Sequence, residues 1–257
     1  MTLEALIFDV DGTLSETERD GHRVAFNMAF KTAGLDWNWD DALYGELLAV
    51  TGGKERILFY LDKYNTEFER PADLDDFIAS LHASKTGYYV ELLAKGGIPL
   101  RTGVKRLLEE ARAEGLRLAI ATTTTINNVH ALLEHALSIE SVDWFEVIGA
   151  GDMVGAKKPA PDIYNYVLDK MNLKPEQCMA FEDSANGIKS AGGASLPIII
   201  TVDSYTTQHD FTGARLILDQ LGEPDQPFKV IGGTKSSVVT SDDTYLNIDL
   251  VRRIHNA

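Results

Sequence analysis

The chain is predicted to be an α/β protein, a doubly wound parallel sheet with a small α-helical domain inserted after the first strand. Three observations carry that expectation. Short, nearly continuous apolar runs occur at five places, as strands buried on both faces require. Helix-patterned stretches separate them, so that strand and helix alternate. One long stretch between the first and second runs breaks the alternation, because it is polar, aromatic and helix-patterned throughout.

Leu3-Glu4-Ala5-Leu6-Ile7-Phe8 reads as the first strand, with Asp9 and Asp11 at its carboxyl tip. Residues 16–97 form the predicted helical insertion, with apolar positions such as Phe26, Phe30, Leu47, Leu61 and Leu81 on helix faces. Residues 1–15 and 98–257 then make up the sheet domain. Val104, Leu107, Leu108 and Ala111 are spaced as a helix that Gly115 stops. The second strand is Leu116–Ala121 with Thr122 at its end, followed by a polar tract and a helix near Val129–Leu137. A third strand, Phe145–Gly149, precedes a helix from Asp162 to Met171 that starts just after Pro161. Cys178–Phe181 is the fourth strand, ending in Glu182-Asp183, and Leu196–Val202 is the fifth. Beyond Gly222 a loop and a terminal element from Tyr245 to Ile254 are expected.

The 257 residues carry a formal net charge of -15, with 44% hydrophobic and 25% charged residues. Nucleic acid and anionic membranes need a basic face and are excluded as partners. No apolar run reaches the length of a membrane span, and no secretory leader is recognised. Cys178 is the single cysteine, so no intrachain disulfide can form, and a reducing cytoplasm is the expected compartment. A monomer is expected.

Ligands of an open parallel sheet bind at the carboxyl ends of its strands. Here those ends carry Asp9 and Asp11, Thr122, Lys158 shortly after the third strand, and Glu182 and Asp183. This set suits phosphoryl transfer through a covalent intermediate. One carboxylate attacks phosphorus, and a second protonates the leaving oxygen and later activates water. The remaining acids complete an oxygen-rich magnesium site, while hydroxyl and ammonium groups stabilise charge on the phosphoryl oxygens. Each residue also has a plainer reading. Paired aspartates are common in turns, threonines fill strands, Lys157 or Lys158 can be a solvated surface residue, and Asp183 can be a helix N-cap.

Four ordered motifs resolve the choice: Asp9-Val10-Asp11-Gly12-Thr13, Thr122, Lys158-Pro159-Ala160-Pro161-Asp162, and Glu182-Asp183-Ser184-Ala185-Asn186-Gly187. The chain resembles the haloacid dehalogenase-like (HAD) hydrolase superfamily over the core from Leu3 to about Val202. The resemblance implies a Rossmann-like core, a helical cap formed by the insertion, and Mg²⁺ as cofactor. It further implies Asp9 as nucleophile and metal ligand, Asp11 as general acid/base and metal ligand, and Thr122 and Lys158 as the phosphate clamp. Asp183, with Glu182 beside it, completes the metal site.

Glu16–Arg23, Gly52–Arg56 and the Thr122–Thr125 tract are similar to the CbbY-type sugar-bisphosphate phosphatases. That branch removes the 1-phosphate of xylulose-1,5-bisphosphate, an inhibitor of the carbon-fixing carboxylase in the Calvin cycle. On this reading the partner is a small phosphorylated sugar. Lys54, Arg56 and Arg101 are candidates for its distal phosphate, Glu18 and His22 for its hydroxyls, and Thr123 and Thr124 for further substrate contacts. A β-phosphoglucomutase-like phosphomutase and a non-enzymatic regulator on the same fold are the competing expectations.

Overall fold

The structure, a computed structural model, describes residues 2–257. It divides into two compact units, one made of the residues up to Glu16 together with Pro99–Ala257, the other of Thr17–Ile98.

The larger unit is built on a seven-stranded sheet. Its strands are β1 (Ala5–Phe8), β2 (Arg117–Ala121), β3 (Phe145–Gly149), β4 (Cys178–Glu182), β5 (Ile198–Thr201), β6 (Leu216–Leu218) and β7 (Val230–Gly232). They lie in the order β3-β2-β1-β4-β5-β6-β7. All pairings are parallel except β6 with β7. The order reverses at β1, which makes the crevice beside it the switch point where such sheets take their ligands.

Helices α5 (Val104–Ala113), α6 (Ile126–Ala136), α7 (Asp162–Met171), α8 (Ala185–Gly193) and α9 (Ile248–Asn256) belong to this unit. Side chains alternate across the sheet. Ala5 and Ile7 of β1, with Ala119, Ala180 and Ile200, pack against Ile163, Tyr164, Val167 and Leu168 of α7 and Ile188 of α8 in one buried cluster. Gly115, at φ 74°, ends the α5 segment in a conformation that a side chain would strain.

β6 and β7 were not expected from the sequence. Each has three residues, too short for a period to show, and the polar, glycine-rich segment around them masks the pairing. The tail is nevertheless ordered against the core. Asn247 caps α9 by accepting from the Leu250 amide, and Ile248, Leu250, Val251 and Ile254 are buried.

In the smaller unit a π-helical turn, Glu18–His22, runs into α1 (Arg23–Thr32). Helices α2 (Asp41–Leu47), α3 (Gly53–Lys63) and α4 (Leu74–Ala94) follow. Asp40 and Asp73 cap α2 and α4 with their side chains. The core of this unit is aromatic: the rings of Phe26, Phe30, Trp37, Trp39, Tyr44 and Tyr60 pack on one another in stacked, tilted and edge-on pairs. Among the described residues no helix is long and apolar enough to cross a membrane.

Arg106 on α5 ties the tail down. It pairs with Glu223 at 2.9 Å and donates to the Gly222 and Leu246 carbonyls at 2.7 and 3.1 Å. Its guanidinium also lies 4.4 Å from the Tyr245 ring centroid. Arg106→Ala strands those carbonyls and is expected to lower unfolding free energy by about 2–4 kcal/mol, read as the urea midpoint. A change below about 0.5 kcal/mol, the usual surface range, would show that the tail is held by its apolar contacts alone.

Candidate active site

The register of the central strands assembles the site. Phe8 pairs with Ile120 on one side and Phe181 on the other. Asp9, Thr122 and the Glu182-Asp183 pair therefore leave the sheet at nearly one level. The Asp9 amide donates to the Phe181 carbonyl at 3.0 Å, which carries the pairing one residue past the strand. Phe8 and Phe181 stack beneath them with centroids 4.5 Å apart.

Lys158 joins the two strand ends. Its Nζ lies 2.7 Å from Asp9 Oδ1 and 2.5 Å from Glu182 Oε1. Tyr164 on α7 donates its hydroxyl to the same Glu182 oxygen at 2.6 Å. All four side chains are buried. Burial alone would lower the Lys158 pKa, but Asp9 and Glu182 outweigh it and hold the ammonium above its ordinary range. Burial and the neighbouring Glu182 and Asp9 charges raise the Tyr164 phenol well above its usual value, so it stays a donor. Lys157 points elsewhere and pairs with Asp152 at 3.3 Å.

One ammonium does not balance the acids. Asp9, Glu182 and Asp183 each place a carboxylate oxygen within 4.8 Å of the others. Burial pushes the Asp9 carboxyl up to about 8; Lys158 opposes this, and Glu182 and Asp11 reinforce it. Burial, then Asp203, Asp9 and Glu182, push Asp183 well above the carboxylate range, with Arg101 offsetting part. Buried oxygen donors with uncompensated negative charge suit a hard divalent cation such as Mg²⁺. The residues present therefore fit the metal that the sequence implies.

Two glycines keep this cluster close-packed. A Cβ on Gly187 would fall 1.8 Å from Glu182 Oε2, so no side chain fits there without moving Glu182. Gly12 has φ 84°, and a Cβ on it would fall 2.3 Å from Asp183 Oδ2. The N-cap of α8 is Ser184, whose hydroxyl accepts from the Gly187 amide at 3.0 Å. Asp183 is thus left to the acid cluster.

The remaining sequence candidates fall into distinct places. Asp11 is half-buried in the turn after Asp9. Thr122 is buried, and its Oγ1 accepts from the Thr124 amide at 3.2 Å. Thr124 Oγ1 accepts from Asn128 at 2.9 Å, and Thr123 is half-buried beside it.

Arg101 does not match its expected part. Nη1 donates to the Gly12 carbonyl and, at 3.1 Å, to the Thr201 carbonyl; Nη2 donates to Val202 and Asp219 carbonyls; Nε faces Glu16. All five N–H groups of a guanidinium are thereby used, so Arg101 braces the site loops and has none left for a phosphate.

In the smaller unit, Arg56 is buried and donates to the Leu47 and Val50 carbonyls and to Tyr44 Oη. It satisfies orphan carbonyls at the end of α2. Glu18 accepts from Tyr44 Oη and lies 3.8 Å from Arg56. His22 is buried, with Nδ1 2.8 Å from Lys85 Nζ and its ring against Tyr89. Lys54 is exposed in the first turn of α3.

Sequence reasoning missed Tyr164 and Asp203. Tyr164 lies inside an amphipathic helix, where a tyrosine carries no mark of chemistry. Asp203 stands two residues beyond β5, and the strand-end rule applied to the other strands would have found it.

Comparison with known proteins places this site in a family. Residues 3–195 match the haloacid dehalogenase-like hydrolase family. Protein CbbY of Rhodobacter capsulatus is 50% identical over 214 residues, 83% of this chain and 92% of that protein. The plasmid CbbY of Cupriavidus necator is 45% identical over 225 residues, 88% of each chain. The crystal structure of Rhodobacter sphaeroides CbbY in complex with phosphate superposes with a TM-score of 0.80 at 46% identity, covering 85% of this chain and 95% of that one. A mutant of that protein, solved with xylulose-(1,5)bisphosphate, gives the same values. The β-phosphoglucomutase of Clostridium difficile, at 19% identity and TM-score 0.72 over 99% of this chain and 98% of that one, shares the fold. The chain belongs to the haloacid dehalogenase-like hydrolase family and, within it, to the CbbY-like phosphatases.

Proposed function

We propose that this enzyme is a magnesium-dependent phosphatase of a small phosphorylated sugar, xylulose-1,5-bisphosphate or a related sugar bisphosphate. The observation that carries the reading is the ammonium of Lys158 set 2.7 Å from Asp9 Oδ1 inside a buried group of acids. Likeness to proteins solved with phosphate and with xylulose-(1,5)bisphosphate supports the substrate class. A reducing, cytoplasmic setting suits the one buried thiol, Cys178.

In this mechanism an oxygen of Asp9 forms a bond to phosphorus as the ester bond to the sugar oxygen breaks. Asp11 gives its proton to that leaving oxygen. Asp11, now a carboxylate, takes a proton from water as the water attacks phosphorus. The Asp9–phosphorus bond breaks, and inorganic phosphate and free Asp9 result. Lys158 holds Asp9 in orientation and stabilises charge on the phosphoryl oxygens, with the Thr122 hydroxyl as a further donor. Asp9, Asp183 and the Asp11 carbonyl, with Glu182 in reach, would hold Mg²⁺, which supplies charge neutralisation for an anionic substrate. Glu182 has a second task, since its Oε1 positions Lys158. We assign residues 1–15 and 98–257 to catalysis and 16–97 to substrate specificity, with Glu18, His22 and Lys54 as its candidate contacts and Thr123 and Thr124 as those of the core.

The substrate reading is tested with a panel of mono- and bisphosphorylated sugars in Mg²⁺. Free phosphate is expected from a sugar bisphosphate, with turnover abolished in Asp9→Asn. Lys54→Ala should raise KM for the bisphosphate and leave an aryl phosphate unaffected. Accumulation of an isomerised sugar phosphate without free phosphate would make the enzyme a mutase; no turnover of any ester would favour a regulator.

Lys158→Ala is expected to lower kcat by about 10²–10³-fold. A loss under tenfold would remove Lys158 from the clamp.

The acid cluster also sets a pH dependence. With its carboxyl at about 8, Asp9 of the metal-free protein keeps a proton that the unfolded chain loses near pH 4. Between those values the folded state binds more protons, so this contribution to stability falls as pH rises. Asp9 and Asp183 would hold Mg²⁺ in place of that proton, and the bound charge would offset the loss. Saturating Mg²⁺ is expected to raise Tm by about 5–10 °C at pH 8 and by clearly less at pH 5. Equal rises at both pH values would contradict a cation site at Asp9.

A further inference from the structure

Asp203 lies just past β5, buried, in a tight turn. Its Oδ1 accepts the backbone N–H groups of Tyr205 and Thr206 at 2.7 and 2.9 Å. Its own amide donates to Thr206 Oγ1 at 2.9 Å. This is an Asx turn, and it uses one carboxylate oxygen. Oδ2 receives no hydrogen bond from the described residues.

Oδ2 faces the acid cluster. A Cβ built on Gly12 would lie 2.3 Å from Asp183 Oδ2 and 2.7 Å from Asp203 Oδ2. The two oxygens are therefore no farther apart than those two distances laid end to end. Asp203 is also the largest of the charges acting on Asp183. Asp203 thus sets a bare oxygen beside the Asp183 carboxyl, inside the protein, where two ionised carboxylates are costly without a cation or a water donor between. The turn does not require this, because asparagine makes the same Oδ1 bonds and carries no charge.

We infer that Asp203 is a positioning residue of the magnesium site, its Oδ2 holding the cation's hydration shell on the side of Asp183. The inference rests on the magnesium reading above and adds a residue from a fifth strand end to the four that the sequence motifs supply. Magnesium keeps several of its waters when protein-bound, and an oriented outer carboxylate anchors them as outer partners do at other metal centres.

The test uses MgCl₂ as the only probe, titrated into full-length wild type and Asp203→Asn, with binding followed by calorimetry and by Tm. Asp203→Asn is expected to weaken Mg²⁺ binding by about 10–100-fold while the metal-free Tm stays level or rises, because a like charge is removed and the turn is kept. A purely structural Asp203 would do the reverse, lowering the metal-free Tm and leaving the Mg²⁺ affinity within twofold of wild type, and that result overturns the inference. If Asp203→Asn does not fold, Asp203→Ser, which retains one oxygen for the turn, takes its place. Failure of both to fold assigns the side chain to the turn and also overturns it. A wild type that binds no Mg²⁺ brings down the magnesium reading itself, which separates that failure from the failure of Asp203 alone.

Discussion

The ammonium of Lys158, held between Asp9 and Glu182, is the interaction around which the catalytic end of the sheet is arranged. Three acids converge where β1 and β4 end, and a buried carboxylate without a partner is among the costliest groups in a protein. Lys158 neutralises part of that charge and fixes where Asp9 points. Tyr164 then fixes Glu182, and Gly187 makes room for Glu182 by having no side chain. Removing any one of these leaves the others buried with fewer partners, so the group behaves as a unit.

After Lys158 has been counted, the site still holds an excess of buried acid. The chain as a whole is strongly acidic and repels phosphate esters at long range. On the magnesium reading proposed above, attraction would be local and conditional, supplied by a divalent cation at the acid cluster. The raised carboxyl of Asp9 expresses the same condition in terms of protons. On that same reading, proton and cation would compete for one set of oxygens, and Asp9, the proposed nucleophile, would be ionised only with the second.

Much of this was legible in the sequence because its signals are local. The first, second and fourth apolar runs, four to six residues long and each followed by an acid or hydroxyl, reveal a strand and its carboxyl tip together. The register of Phe8 with Ile120 and Phe181 then brings the tips together with no further information. Tyr164 was invisible because only the packing of α7 on the sheet turns its hydroxyl toward Glu182. Arg101 was misread for a related reason: a sequence shows that a cation exists, whereas backbone carbonyls that consume its donors appear only after folding. β6 and β7 escaped because three residues carry no period.

The staples around Arg101 have a consequence for how this architecture varies. Ser15 bridges to Leu100 and donates to the Pro99 carbonyl, while the Arg101 amide donates to Leu14 at 2.9 Å. The chain thus leaves the sheet unit and re-enters it through two neighbouring segments fastened to each other. To the sheet unit, everything between is a loop whose ends are already closed, and the entropy of closing a loop grows only slowly with its length. On this geometry a change in the length of the segment between Ser15 and Pro99 is expected to leave Asp9, a few residues upstream, in place. The chemistry can stay fixed while the inserted part is exchanged, which makes this joint the natural seam for recombination and for grafting.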